Sequence, residues 1–445
     1  MSESSNKRIK LLESKNLPED LVVSISSFLP IQSLLRNRIV SKNFRHTEIK
    51  SLDLDFSGVF SVRRRKLKVV KIIENIFNQH EGSNINRFVL ILNHIGVEDM
   101  ILSWINTCIS KNIQELELDF SKSKKVLKIP IDFSAIETLT ALKLRWCKFE
   151  IPDNSTKGLR NLKTLSLKQT EVMKEMIDAI FSNCIHLESL ELIECRMYGI
   201  LSIYAQNHEK FKSLVVSSMP KLLYIILNAP TLKYYKYDGY IMKVIFLRRC
   251  AVEEASLFYK QRRRSYDSSD LVVANMRDNI EEFHSLEITN FFLEALTYRY
   301  VEGKLIKPSF KFENLLKFRI VFKAPAFCSL FDIAEFLKGC PKLEQVLIDI
   351  KNFTFERNMF WEIHHKKQIQ NENYRLECLK EVKIIGYKGH CHELDIVQFF
   401  VENAPSLKKL DLEMLKNEIS EAHVPDYERI SYIKNIFPGV EVTEV

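Results

Sequence analysis

The sequence predicts an α/β solenoid: a curved stack of short parallel strands with helices on its convex side, preceded by a small three-helix module. Two observations carry the stack. A self-similar unit, L-x-x-L-x-L-x-x-C/N-x-L, recurs along the chain, and its central position advances by a nearly constant step. A third observation sets the N-terminus apart: Leu17 to Arg45 packs three short apolar segments of helical period into one compact run.

The repeats come first because they decide the domain count. Leu139, Leu142, Leu144, Cys147 and Phe149 fill the template, as do Leu187, Leu190, Leu192, Cys195 and Met197; Leu162, Leu165, Leu167 and Val172 do so with Thr170 in the polar slot. Weaker copies extend the series, so that the central residue stands at 116, 142, 165, 190, 214 and 235, with steps of 26, 23, 25, 24 and 21. Those steps lie within the leucine-rich-repeat range. Later copies centre on 255, 286, 318, 346, 382 and 410, and steps of 31 (255 to 286) and 36 (346 to 382) predict an irregular second half with insertions.

Side chains alternate along a strand, so the two apolar residues of each L-x-L point inward and the residues between them outward. A single unit buries little; stacking makes one continuous core. Glu171 to Cys184 and Phe331 to Cys340 read as covering helices, and Cys340-Pro341 and Asn403-Ala404-Pro405 as their stops. Cys147 and Cys195 read as small apolar packers rather than nucleophiles. The outward positions make a stripe that starts acidic with Glu115, Glu117 and Asp119 and turns basic with Lys143, Arg145 and Lys168. Ser166, Glu191, Lys236, Asp238, Glu287, Arg319 and Lys383 continue it as a mixed-charge concave face. Two readings of that face stand side by side: a surface for a target protein, or charges that only keep a solenoid dissolved.

Ahead of the repeats, Ile49 to Phe56 alternates as a strand, Leu67 to Phe77 has helical spacing, and Asn86 to Asn93 is a strand. Glu98 to Ile109 is a helix with Ile101, Trp104, Ile105 and Cys108 on one face. The expected organisation is a tail at 1–15, the helical module at 16–50, a connecting or capping region at 51–111, repeats at 112–377 and a C-terminal region at 378–445.

Composition limits what the chain does. In 445 residues, a 46% hydrophobic and 27% charged share belongs to a folded globular protein. No apolar run is long enough to cross a bilayer; Leu222 to Leu227 is among the longest, and the polar start of the chain carries no secretory signal. Nine irregularly spaced cysteines do not form a disulfide framework and point to the cytosol or nucleus. The net charge is a mild +8. Arg63 to Lys66 and Arg262 to Arg264 read as import or phosphate-contacting patches or, with no aromatic platform beside them, as solvated loop ends; nucleic acid is not the expected partner.

No constellation for catalysis emerges. Phosphate-binding and dinucleotide-binding glycine loops are missing, and so is H-E-x-x-H. Gly389 to Glu393 (GHCHE) is the densest ligand-like cluster, but no second Cys/His pair stands at finger spacing, and neither metal nor cofactor is expected.

The N-terminal run begins Leu17-Pro18-Glu19-Asp20, suited to a first helical turn, breaks at Pro30 and ends Val40-Ser41-Lys42-Asn43-Phe44-Arg45. With Ser27-Phe28-Leu29-Pro30 and Leu35-Arg36 between, it resembles an F-box, with Phe44 where the family usually has Trp. An ordinary helical hairpin packed on its own chain is the alternative. Ser103-Trp104-Ile105 through Asn112-Ile113-Gln114-Glu115-Leu116 resembles the lead-in to the repeats of plant F-box/LRR proteins. Leu379 to Ile384, Gly386-Tyr387-Lys388-Gly389 and Glu402-Asn403-Ala404-Pro405 resemble the FBD region of the same proteins.

The resemblance implies a non-catalytic subunit of an SCF-type cullin–RING ubiquitin ligase. Leu17, Pro18, Leu21, Ile25, Leu29, Pro30, Leu35, Val40, Ser41, Lys42 and Phe44 would dock a Skp-type adaptor, and the repeats would hold a target protein. The alternative is a binding scaffold without ubiquitin output, which Phe44 allows.

Overall fold

In the computed structural model, residues 50–57, 63–78, 80, 82–129, 136–148, 158–248, 250–260, 282–297, 299–301, 304–306, 311–324, 328–355, 366–414 and 427–444 are described. The tail, the helical module with all eleven of its adaptor-docking residues, and the Arg262 to Arg264 run lie outside them. The chain divides into two compact units, at Met1–Leu162 and Lys163–Val445.

In the first unit the ladder strands are β1 (Ser51–Asp55), β2 (Arg87–Ile91), β3 (Glu115–Asp119) and β5 (Ala141–Arg145); β4 (Leu127–Lys128) and β6 (Cys147–Lys148) pair with each other alone. All pairings are parallel, and Leu52, Phe88, Leu116 and Leu142 stand opposite one another. Two strands therefore precede the expected start of the repeats at 112. Two helices intervene, α1 (Arg63–Asn78) and α2 (Glu98–Ser110). The buried face of α2 is Ile101, Trp104, Ile105 and Cys108, as its spacing predicts, and Glu98 and Asp99 in its first turn suit the helix dipole. Arg63 to Lys66 belongs to the first turn of α1, not to a loop; the apolar periodicity of the following residues draws the basic run into the helix.

The second unit is built the same way. Its ladder runs β7 (Thr164–Lys168), β8 (Ser189–Ile193), β10 (Ser213–Ser217), β12 (Tyr234–Tyr240), β14 (Glu254–Lys260), β15 (Ser285–Thr289), β18 (Lys317–Val321), β19 (Gln345–Asp349), β20 (Glu381–Ile385), β21 (Lys409–Met414) and β22 (Val440–Glu444). Every central residue predicted from the repeat stands in one row: Leu165, Leu190, Leu214, Tyr235, Ala255, Leu286, Phe318, Val346, Val382 and Leu410 are register partners in turn. All ten are buried. At roughly 1.5–3 kcal/mol for each large apolar side chain taken from water, this row and its neighbour two residues on supply much of the stabilisation. Where the row narrows to Ala255, Tyr235 stands beside it and the Tyr237 and Tyr259 rings approach to 5.6 Å, so large and small side chains share the space.

The covering layer corrects one expectation. Helices do fill it at α3 (Lys174–Asn183), α4 (Asn290–Thr297), α5 (Leu330–Lys338), α6 (Lys366–Asn371), α7 (Cys391–Asn403) and α8 (Tyr427–Ile436). Between β8 and β14, however, the layer is a second parallel sheet of β9 (Gly199–Tyr204), β11 (Leu222–Asn228) and β13 (Lys243–Phe246), with β9 packing beside α3. The reason is composition: GILSIY, LLYIILN and KVIF are rich in residues that suit extended backbone. A small antiparallel hairpin, β16 (Arg299–Val301) with β17 (Lys304–Ile306), is the insertion in the long 286-to-318 step.

Candidate functional site

The outward row of each ladder is the face that the sequence offers either to a target protein or to solvent. An i-B-i-B-i burial pattern in β3, β5, β8, β10 and β19 confirms the alternation, with the charged residues half-buried between apolar ones. Neighbouring strands of a sheet lie about 4.8 Å apart, so residues in one row meet their counterparts on the next strand.

In the first unit Arg87 is the hub. Its guanidinium reaches Asp53 at 3.1 Å, Glu115 at 2.8 Å and Glu117 at 3.6 Å. Glu117 also meets Lys143 at 3.7 Å, and Asp119 meets Arg145 at 3.3 Å. The predicted acidic start of the stripe is therefore neutralised within its own face.

The second unit repeats the pattern. Glu191 accepts from Ser166 Oγ at 2.7 Å and lies 3.9 Å from Lys168. Asp238 meets Lys260 at 2.9 Å; Arg319 joins Glu287 at 2.8 Å to Asp349 at 3.2 Å. Lys383 lies 3.1 Å from Asp411 and 3.0 Å from Glu413, and Lys351 lies 3.4 Å from Glu413. Glu413 and Asp411 hold the Lys383 ammonium above its ordinary range, and Lys383 holds the Glu413 carboxyl below its own. Lys236 differs: its ammonium stands over the Phe258 ring.

Sequence reasoning missed Arg87, Lys260, Phe258, Lys323, Asp349, Asp411 and Glu413. Most obey the same alternation rule as the residues it chose, so the signal was present; Lys323 lies just past its strand and had none. A groove of about 360 Å³ opens on this face, with Leu347 between Arg319 and Lys383, and Lys317, Gln345 and Lys409 at its rim.

The cysteines behave as packers. Cys147 and Cys195 are buried, and burial pushes the thiol of Cys195 up to about 11 and that of Cys147 further, far from a nucleophile's range. The ligand-like cluster near Gly389 resolves into a loop lock. Glu393, fully buried in the first turn of α7, accepts through Oε2 from the backbone N–H of Lys388 (2.7 Å), Gly389 (2.9 Å) and His390 (3.4 Å). Burial pushes its carboxyl up to about 7 against the pull of those N–H groups. No helix among the described residues is long and apolar enough to cross a membrane.

A ladder of short parallel strands built on a repeating L-x-x-L-x-L unit defines a leucine-rich-repeat protein. Comparison with known proteins carries that further. A family model for the At1g61320/AtMIF1 leucine-rich-repeat domain matches residues 76–435, and an F-box domain model matches residues 15–48. The chain belongs to the plant F-box/FBD/LRR-repeat proteins. FBD-associated F-box protein At1g61320 of Arabidopsis thaliana is 65% identical over 455 residues, spanning 100% of this chain and 98% of its own. Putative FBD-associated F-box protein At1g61330 of the same plant is 63% identical over the whole of both chains. F-box/FBD/LRR-repeat protein At1g13570, also of Arabidopsis thaliana, is 23% identical over 88% of this chain and 89% of its own.

Proposed function

We propose that this chain is the substrate-recognition subunit of an SCF-type cullin–RING ubiquitin ligase. One observation carries the reading: an F-box at 15–48 and a leucine-rich-repeat domain at 76–435 occupy one chain. Leu17, Pro18, Leu21, Ile25, Leu29, Pro30, Leu35, Val40, Ser41, Lys42 and Phe44 are the residues assigned to a Skp-type adaptor. The outward rows of the repeat ladder, with the groove at Leu347, are assigned to a target protein. The chain's contribution is tethering: it raises the effective concentration of a target lysine near a ubiquitin-charged enzyme that other subunits supply. Its place of work in this reading is the cytosol, the nucleus or both.

Co-purification with a Skp-type adaptor tests it, wild type beside Leu17→Ala/Pro18→Ala. Stoichiometric capture that the double variant loses supports the ligase reading. Wild-type chain that captures none of several adaptor paralogues overturns it in favour of a scaffold, the reading that Phe44 in the usual Trp position favours, since it lacks the indole N–H.

A further inference from the structure

Within the second unit, most of the cations on the ladder face are matched by carboxylates on the same face. Lys168, Lys260, Arg319, Lys383 and Lys409 each lie within 4.0 Å of one. Of the lysines outside the rule, two stand together. The Nζ of Lys236 lies 5.6 Å from the centroid of the Phe258 ring, and the Nζ of Lys323 lies 5.4 Å from the same centroid. Neither is within ion-pair distance of a carboxylate among the described residues.

The ladder order explains how they converge. Phe258 is on β14; Lys236 is on β12, paired directly to it, and Lys323 follows β18, two strands away on the other flank. The ring is thus approached by an ammonium from each side, and all three side chains are partly open to solvent. Nearby acids are already engaged: Asp238 by Lys260, Glu287 by Arg319 and by the Ser256 hydroxyl at 3.0 Å. Two like charges gathered at one ring, with the surrounding carboxylates occupied, leave a local excess of positive charge over an apolar plate. A cation–π contact contributes only about 0.5–1 kcal/mol at exposed sites, far less than a desolvated ion pair with a partner's carboxylate.

We propose that Lys236, Phe258 and Lys323 form a docking point for an acidic peptide segment of the target protein. Carboxylates four residues apart in the segment pair with the two ammonium groups, and the apolar residue midway between them, on the same face, rests on the Phe258 ring. The proposal deepens the target-binding reading of the repeat face and rests on it. Strand-face alternation in the target supplies the matching spacing, since residues two apart on an extended peptide point the same way.

The test uses the full chain and a fluorescent decapeptide that repeats Glu-Ser-Leu-Ser, which puts glutamate and leucine on one face, followed by anisotropy at low salt. A decapeptide with glutamine for glutamate is the control. Lys236→Ala/Lys323→Ala is expected to weaken binding of the acidic peptide about tenfold or more, as loss of two charge pairs implies. Phe258→Leu is expected to weaken it less, and Lys236→Glu/Lys323→Glu to abolish it. Lys212→Ala/Lys221→Ala removes two exposed lysines outside the ladder strands and leaves affinity unchanged, which separates a site from bulk charge.

The proposal is overturned if the wild type does not bind the acidic peptide, if the glutamine peptide binds as well, or if the Lys212 and Lys221 variant loses as much as the Lys236 and Lys323 variant. Adaptor capture measured on the same preparations keeps the two readings apart. Capture without peptide binding rejects the docking point alone, and peptide binding without capture rejects the ligase reading alone.

Discussion

Glu393 shows how one buried group shapes behaviour in solution. Its folded carboxyl titrates at about 7, raised by burial above an ordinary 4.5. The folded state therefore holds a proton that the unfolded state releases, and stability from this site is present below about 4.5 and lost as pH rises through 7, by up to about 3 kcal/mol. Glu393→Gln keeps an acceptor for the three N–H groups and removes the titration. Thermal melts from pH 4 to 8 are expected to show its Tm gaining on the wild type as pH rises, and a constant difference would contradict that assignment. Gly386 is the other residue with a sharp expectation. At φ +81° it sits where a Cβ would come within 2.6 Å of the Lys351 backbone nitrogen and 2.5 Å of its Cα. Gly386→Ala meets both backbone strain and a backbone clash, and denaturant unfolding is expected to show a loss of about 3 kcal/mol or more. The Gly-Tyr-x-Gly motif that sequence resemblance picked out has this physical ground.

Among the elements, the second sheet offers the clearest test. Along β11, Leu222, Ile225 and Leu227 are buried, whereas Leu223 is 61% exposed. Read as an apolar run, LLYIIL does not distinguish them; a strand in a two-layer stack does. Ile225→Ala is expected to cost about 2–5 kcal/mol and Leu223→Ala less than about 0.5 kcal/mol in chemical denaturation. Equal costs would mean that the run is buried on both sides. Another feature of the elements was illegible in sequence. Trp146, Gln169, Glu194 and Ser218, each directly after a ladder strand, adopt φ between +53° and +59°. These residues hand the chain from the ladder to the covering layer, with N–H groups of Gln169, Glu194 and Ser218 bonded to the carbonyls of Ile193, Ser217 and Asp238 on the next strand. Such turns usually advertise themselves by Gly or Asn; here neighbouring repeats impose the conformation on residues that do not prefer it.

For the whole molecule, the prediction is modularity. Solenoid stability is a sum of local and nearest-neighbour terms, so a change on one repeat face is felt there and not along the chain. Arg319→Ala/Lys383→Ala is expected to leave adaptor capture at the wild-type level. Its stability cost is about 1–3 kcal/mol, because the mostly covered carboxylates of Asp349, Asp411 and Glu413 lose a cation each. Pull-down yield and melting temperature on one preparation check both parts; loss of capture would mean that the repeats and the N-terminal module do not act separately.

The sequence by itself determined the register of this protein. A repeat that recurs every 20 to 36 residues has one way to bury its apolar pair, and rows such as Leu190–Leu214–Tyr235–Ala255 follow from alternation and stacking alone. It also determined the family, because Leu17-Pro18, Ser27 to Pro30 and Val40 to Arg45 are local patterns that need no fold to be read. Only the tertiary structure decided what covers the ladder and which charges remain available. Short segments rich in Val, Ile, Leu and Tyr are ambiguous until their neighbours are placed. The partners of these lysines stand on the next strand, 22 to 30 residues away, so that Lys236 and Lys383, alike in sequence, meet a phenylalanine ring and a pair of carboxylates respectively.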